Sequence, residues 1–322
     1  MAVNLDKPHR WKLDIAASVD YYNDWFMRFA PKAYRDTRVA TTEQVRRALE
    51  ITRNLADISP QLLEKNPSVL PILRMATAPP IARDRLIGLA GVASNLIDNM
   101  EMKNRMPPRM DKEQARVELE KVGRIIMQLV DEDIFPWVNN KQTPSQAEIH
   151  RAATIVADRL CGAVADPIIR NAQEQRQLTA IKAWLEKRGY TFVEGTGKSK
   201  FDELEVGAFS FRSNIPVEQA SQTRTNKVNI PIDVVVKSLK SKPDEFPLLI
   251  EAKSAGDFTN TNKRRKEEAT KVMQLRNTYG ENIRFVLLLC GYFDSGYLGY
   301  EAAEGIDWVW EHRIDDLADF GL

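Results

Sequence analysis

The spacing of apolar positions changes character near residue 189. Before it, apolar residues recur every three or four positions, the period of a helix with one buried face. TTEQVRRALEITRNLADI predicts such a helix after a threonine cap, and DKEQARVELEKVGRIIMQLVDEDIF predicts another after Asp111. TPSQAEIHRAATIVADRLCGAVA predicts a third, with Thr143 as N-cap and Pro144 at the first helical position. ADPIIRNAQEQRQLTAIKAWLEKRG repeats that device with Asp166 and Pro167. Its stripe is Ile168, Ala172, Leu178, Ile181 and Leu185, and Gly189 supplies the stop.

After Gly189 the runs are short and rich in β-branched and aromatic residues. YTFVE, GAFSFR, VNIPIDVVVKS, FPLLIEAKS and IRFVLLLCGYF predict strands. TNTNKRRKEEATKVMQLRNTYG, between the last two, predicts a helix from Ala269, Val272, Met273, Arg276 and Tyr279. A terminal helical segment follows. The expected class is α+β: a mostly helical domain over 1–165, then a domain over 166–322 with a central mixed sheet flanked by helices.

Composition adds limits. The 322 residues suffice for two domains, and 43% apolar with 28% charged residues is the balance of a globular protein. A net charge of +1 excludes a global basic field, so any nucleic-acid signal is local. Cys161 and Cys290 lie in apolar runs and read as buried free thiols in a reducing cytosol. His9, His150 and His312 lack zinc spacing. The start has no apolar signal region, and FVLLLCGYF is too short to span a membrane.

The chemistry is concentrated in LLIEAKSAGD, 248–257. Alternate side chains of a strand share a face, so Glu251 and Lys253 point together and Ala252 points away. Asp233 sits in the apolar run VNIPIDVVVK, with Ile230, Ile232, Val234 and Val236 expected on the face opposite to it. The intervening KSLKSKPDEFP fits a hairpin that brings Asp233 beside Glu251. Two close carboxylates repel unless a cation lies between them, and oxygen ligands suit a hard ion such as Mg²⁺. An adjacent ammonium stabilises developing charge, so the set suits metal-assisted phosphodiester hydrolysis. A Glu-x-Lys at a strand end is also what a solvated sheet edge carries.

Helix, strands, Asp233, then Glu251-x-Lys253 on the next strand, then helix and strand, resembles the PD-(D/E)XK (restriction endonuclease-like) nuclease fold. IPID carries its proline two residues before the aspartate, where the pattern often has Pro-Asp. DRLCGAVADPIIRNAQEQRQL, NIPIDVV, LLIEAKSAGDFTNTNKRRKEEA and LCGYFDSGYLGYEAAEGIDWVWEHRIDDL resemble the XamI family of type II restriction endonucleases over most of the chain. EAKSAGDFTNTNKRRKEE is the most specific part. The resemblance implies Mg²⁺-dependent cleavage of double-stranded DNA at a short specific site. It implies Asp233, Glu251 and the Ala252 carbonyl as metal ligands, and Lys253 as charge stabiliser or positioner of water. It also implies a helix glutamate reaching the site, for which Glu174 is the candidate, and a solvated helix acid is the plain alternative. Cutting both strands of a palindrome is simplest for a homodimer.

Given a nuclease, Lys263, Arg264, Arg265 and Lys266 form a basic loop suited to phosphates or guanine edges, and Asn260 and Asn262 suit adenine. A solvated helix start is the alternative. ARDRLIGLAGVASNLIDNME, within 81–101, is spaced like a helix-turn-helix, with Gly91 in the turn and Ser94, Asn95 and Asn99 facing a groove. Any helical hairpin gives that spacing. EGTGKSK, 194–200, looks like a phosphate loop but has Phe192 where the first glycine belongs. A repair or recombination nuclease of the same fold, a non-catalytic DNA-binding regulator and a protein-interaction module remain open from the residues alone.

Overall fold

The computed structural model describes residues 2–194, 203–220, 225–242, 245–259 and 261–322, without the side chains of 163–166, 219–220, 225–226 and 262–265. Helices come first: α1 (Pro8–Ile51), α2 (Pro60–Lys65), α3 (Leu70–Met75), α4 (Arg83–Ala90), α5 (Ser94–Lys103), α6 (Lys112–Leu129), α7 (Pro136–Asn140) and α8 (Gln146–Glu186). Then follow β1 (Thr191–Phe192), β2 (Ala208–Ala220), β3 (Thr225–Val236), β4 (Leu248–Ala255), α9 (Thr261–Tyr279), β5 (Arg284–Gly291), α10 (Ser295–Ala303) and β6 (Asp307–Trp310). Among the described residues no helix is long and apolar enough to cross a membrane.

The chain forms two compact units, Pro31–Ile168 and Met1–Ala30 with Ile169–Leu322. Residues 1–30 therefore group with the sheet, not with the helical domain in which the sequence reading put them. One of the ties is a buried carboxylate. Asp307, at the start of β6, is 6% exposed and accepts the backbone N–H groups of Val3 (2.6 Å), Asn4 (3.0 Å) and Leu5 (3.1 Å). Asp307→Ala would strand these donors, and hydrogen bonds to a charged group are worth more than neutral ones. The expected loss is about 3 kcal/mol in urea denaturation, and an unchanged midpoint would contradict this tether.

The helical unit packs around residues such as Leu49, Leu73, Ile97, Val122, Phe135 and Val156. Asp111 caps α6 through Glu113 N–H and Gln114 N–H, as its position predicts. Three expected helix starts differ. Thr41 lies inside α1. The cap of α8 is Ser145, whose Oγ accepts Glu148 N–H while Glu148 Oε2 accepts from Ser145 N–H, a reciprocal box that outcompetes Thr143. Asp166 and Pro167 do not begin a helix, because α8 continues through Pro167. A proline removes one donor from a ladder that the rest of a 41-residue helix maintains. Gly91, at φ +58°, does form the turn between α4 and α5. Ser94 and Asn95 are exposed, but Asn99 is only 5% exposed. It falls on the buried side of α5 with Leu96 and Met100, and its amide donates to Asn95 Oδ1 (2.6 Å) and to the Asn95 carbonyl (2.8 Å). Asn99 therefore does not face a groove.

In the other unit the sheet order is β1-β2-β3-β4-β5-β6. The β2–β3 and β3–β4 pairs are antiparallel, and the β1–β2, β4–β5 and β5–β6 pairs are parallel. The sheet is thus mixed, with helices on both faces. One face packs Leu178, Ile181 and Leu185 of α8, and the other packs Val272 and Leu275 of α9 with Tyr297 and Leu298 of α10. Strand β6, DWVW, lies in what the sequence reading took for a terminal helical segment; all four residues are buried, so no alternation reveals it.

The pleat of β3 reverses in mid-strand. Ile230, Ile232 and Val235 belong to the core under α9, whereas Val234 and Val236 belong to the core under α8. Ile230, Ile232, Val234 and Val236 therefore do not share one face, contrary to the simple alternation. The same change occurs in β2, where Phe209 faces the α8 side and Ile215 and Val217 face the other. The reversal is centred on one rung. Phe211 pairs with Val234 and Ser213 with Ile232, but the opposed residues Arg212 and Asp233 are skipped.

Candidate active site

Asp233 escapes the ladder on both sides. Toward β4, pairing runs from Val236–Leu248 to Val234–Ile250 and stops, so the next residues in register are Asp233 and Glu251. The freed Asp233 Oδ2 accepts the Ala252 N–H at 2.8 Å. In β4 the alternation holds, and Glu251 and Lys253 share the face that looks toward α9.

Glu251 is 5% exposed, a costly place for a carboxylate unless it is paired. Its Oε1 meets two ammonium groups, Lys253 Nζ at 3.0 Å and Lys271 Nζ at 2.7 Å. Its Oε2 is buried without a hydrogen-bond partner. Lys253 Nζ also pairs with Glu268, at 3.0 Å, on α9. Burial opposes the charge of Lys253, but Glu251 and Glu268 outweigh it and hold the lysine above its ordinary pKa. It is an ammonium at any working pH. Asp233 is pushed up to about 6, first by burial and then by the charge of Glu251. Burial also raises Glu268, with Lys253 opposing the rise. Behind it, burial and then Glu268 push Glu301 up to about 8, so at pH 7 it is mostly neutral and adds little negative charge.

These groups meet at a cavity of about 280 Å³ lined by Asp233, Glu251, Ala252, Lys253 and, from α8, Arg170 and Glu174. Gln177 fixes the α8 side, donating to the carbonyls of Lys253 and Leu288, each at 3.3 Å. The expected residues Asp233, Glu251, Ala252, Lys253 and Glu174 are thus brought together. Glu174 does not approach the acid pair as a free carboxylate; its Oε1 holds Arg212 Nη2 at 2.8 Å. Of the expected DNA contacts, Lys266 is exposed on α9, and Asn260 lies outside the described residues. The backbone of Asn262, Lys263, Arg264 and Arg265 forms the first turn of α9, which begins at Thr261, so KRRK is a helix start and not a loop. Their side chains are outside the description.

The sequence reading missed Glu268 and Lys271. A signal existed: Glu268, Val272 and Leu275 are spaced i, i+4, i+7, so a charge sits on the buried stripe of α9. The stripe through Met273 was misassigned; that side chain is 55% exposed.

Among the described residues no group of three or more His, Cys, Asp or Glu side chains is arranged to hold a metal. The donor set here is smaller, two carboxylates and backbone carbonyl oxygen. It still fits a hard cation: the donors are all oxygen, one buried carboxylate oxygen lacks a partner, and the second acid is pushed up to about 6 by burial and by its neighbour Glu251.

The family model for the XamI restriction endonuclease matches residues 53–310. The type II restriction enzyme SalI of Streptomyces albus G is 51% identical over 319 residues, 99% of each chain. No solved structure matches the chain. With a family match across most of its length and a relative alike from end to end, the chain belongs to the XamI restriction endonuclease family.

Proposed function

We infer that this endonuclease is a type II enzyme that hydrolyses both strands of duplex DNA at a short specific site, using Mg²⁺. The observation that carries the reading is the single cavity lined by Asp233, Glu251, Lys253 and Glu174. Strands β3 to β5 between α8 and α9, with Asp233 and Glu251 in register, support a PD-(D/E)XK catalytic domain. That domain is Ile169–Leu322 joined by the first 30 residues, and Pro31–Ile168 is a separate helical domain.

Asp233 and Glu251 would hold the metal, with the Ala252 carbonyl as a further ligand. Bound there, Mg²⁺ supplies Lewis acidity and a water of lowered pKa. The protein's own groups do the rest. Lys253 presents a permanent positive charge to the phosphate oxygens as charge builds on them. Glu268 keeps that ammonium protonated and fixed from its far side. Gln177 ties the strand that carries Lys253 to α8. Glu174 stands at the cavity wall, and the basic first turn of α9, with Lys266, would meet backbone phosphate. Two copies related by a two-fold axis would cut the two strands of a palindrome, so the working form is a homodimer in a prokaryotic cytoplasm.

The test is incubation of purified full-length protein with a mixed panel of plasmid and phage DNA, in Mg²⁺ and in EDTA. Discrete fragments in Mg²⁺ alone are expected, and sequencing their ends reads out the site. Intact DNA across the panel, or fragments that persist in EDTA, would overturn the reading.

A further inference from the structure

We propose that Arg212 is a DNA-phosphate contact beside the catalytic cavity, and that Glu174 occupies its guanidinium while no DNA is bound. The inference rests on the nuclease reading and adds a residue to it. Arg212 stands on β2 directly opposite Asp233, at the one rung skipped between Phe209–Val236 and Ala220–Thr225. Its φ is +51°, the left-handed region that a residue with a Cβ enters at a cost. Ser210 Oγ and Ser213 Oγ meet at 2.8 Å around it, which a regular strand would forbid, since those residues would point to opposite faces. A glycine would satisfy this backbone better. Packing holds the arginine side chain only in part, because it is 59% exposed.

Its recorded bonds go to a single atom: Nε at 3.1 Å and Nη2 at 2.8 Å, both to Glu174 Oε1. Glu174 is itself 34% exposed, so the pair is wet and exchangeable. Glu174 lines the cavity of Asp233, Glu251 and Lys253, which places the guanidinium one ion pair from the reacting phosphodiester. In this pose Glu174 meets the planar fork with one oxygen only, and a DNA phosphate could meet it with two. Left-handed backbone at a residue opposite the cavity carboxylate Asp233, with a side chain held by one exchangeable ion pair, points to a ligand.

The test compares full-length wild type, Arg212→Gly, Arg212→Ala and Glu174→Gln. Binding of a random-sequence duplex in EDTA is followed across a salt series, with thermal midpoints alongside. Arg212→Gly should unfold a few degrees higher, because it fits the backbone, yet bind DNA several-fold more weakly. Its slope of log K against log salt should fall by about 1, the loss of one phosphate contact. Arg212→Ala should show the same loss of affinity and slope. Glu174→Gln should bind several-fold tighter by removing the competitor, and that gain should vanish in the Arg212→Gly background. A folded Arg212→Gly protein with wild-type affinity and slope would overturn the inference while leaving wild-type cleavage, and the nuclease reading, intact. A wild type that neither binds nor cuts duplex DNA would overturn both.

Discussion

Asp233→Asn is expected to lower DNA cleavage by a factor on the order of 10³ or more, and to stabilise the metal-free protein above pH 6. The two effects have one origin. Asparagine keeps the shape and an oxygen for the Ala252 N–H, now taken at 2.8 Å, but it lacks the charge that a hard cation needs. The same charge is a burden without metal. Burial and Glu251 raise Asp233 from 3.8 to about 6, so the folded state binds its proton more tightly than the unfolded chain does. Below pH 4 the group is protonated in both states and costs nothing. Between about 4 and 6 unfolding releases the proton, so stability falls as pH rises. Above 6 the full penalty applies, about 2 kcal/mol after allowance for partial solvent screening. Urea denaturation at pH 5 and pH 8, in EDTA, should therefore show the variant gaining on wild type as pH rises. Added Mg²⁺ should raise the thermal midpoint of wild type by mass action and leave that of Asp233→Asn nearly unmoved.

Lys253→Met is the second large effect, with the opposite stability sign. Loss of a charge poised at the reacting phosphate should slow cleavage by about 10³-fold. Folding should also suffer. Glu268 is 1% exposed and would lose the ammonium now 3.0 Å away, and a buried charge stripped of its partner typically costs about 3 kcal/mol. Glu251 keeps Lys271, so the acid pair survives and the Mg²⁺-induced rise in thermal midpoint should persist. Cleavage lost with the Mg²⁺ response retained separates Lys253 from the metal-holding residues. A variant that cuts at the wild-type rate would remove Lys253 from the chemistry.

Much of this cavity was legible because strands encode their faces with period two. Glu251 and Lys253 had to point together, and a hairpin before them had to bring Asp233 alongside; the register puts Asp233 opposite Glu251. The same rule failed at Asp233 itself. The reversal of the pleat there depends on the skipped rung with Arg212, and nothing in VNIPIDVVVK signals a left-handed residue on the neighbouring strand. Glu268 and Lys271 were hidden because a helix rich in Glu, Lys and Arg looks solvated all round until its partner strand is known. Asn99 was misread for the reverse reason: a polar residue on a short helix reads as surface, yet its amide is satisfied by Asn95 one turn back. Long-range ties were the least legible. Residues 1–30 join the sheet through Asp307 and through further ties such as Arg313 to Asp14 and Gly291 N–H to Ser18 Oγ, pairings that no local pattern encodes.

The most direct test of the central claim is single-turnover cleavage of a phage DNA in Mg²⁺ by wild type and by Asp233→Asn, at protein concentrations where both bind the DNA equally. The expected result is discrete fragments from wild type and uncut DNA from a variant that is folded and bound. Cleavage by the variant at the wild-type rate would mean that the cavity of Asp233, Glu251 and Lys253 is not where this endonuclease cuts.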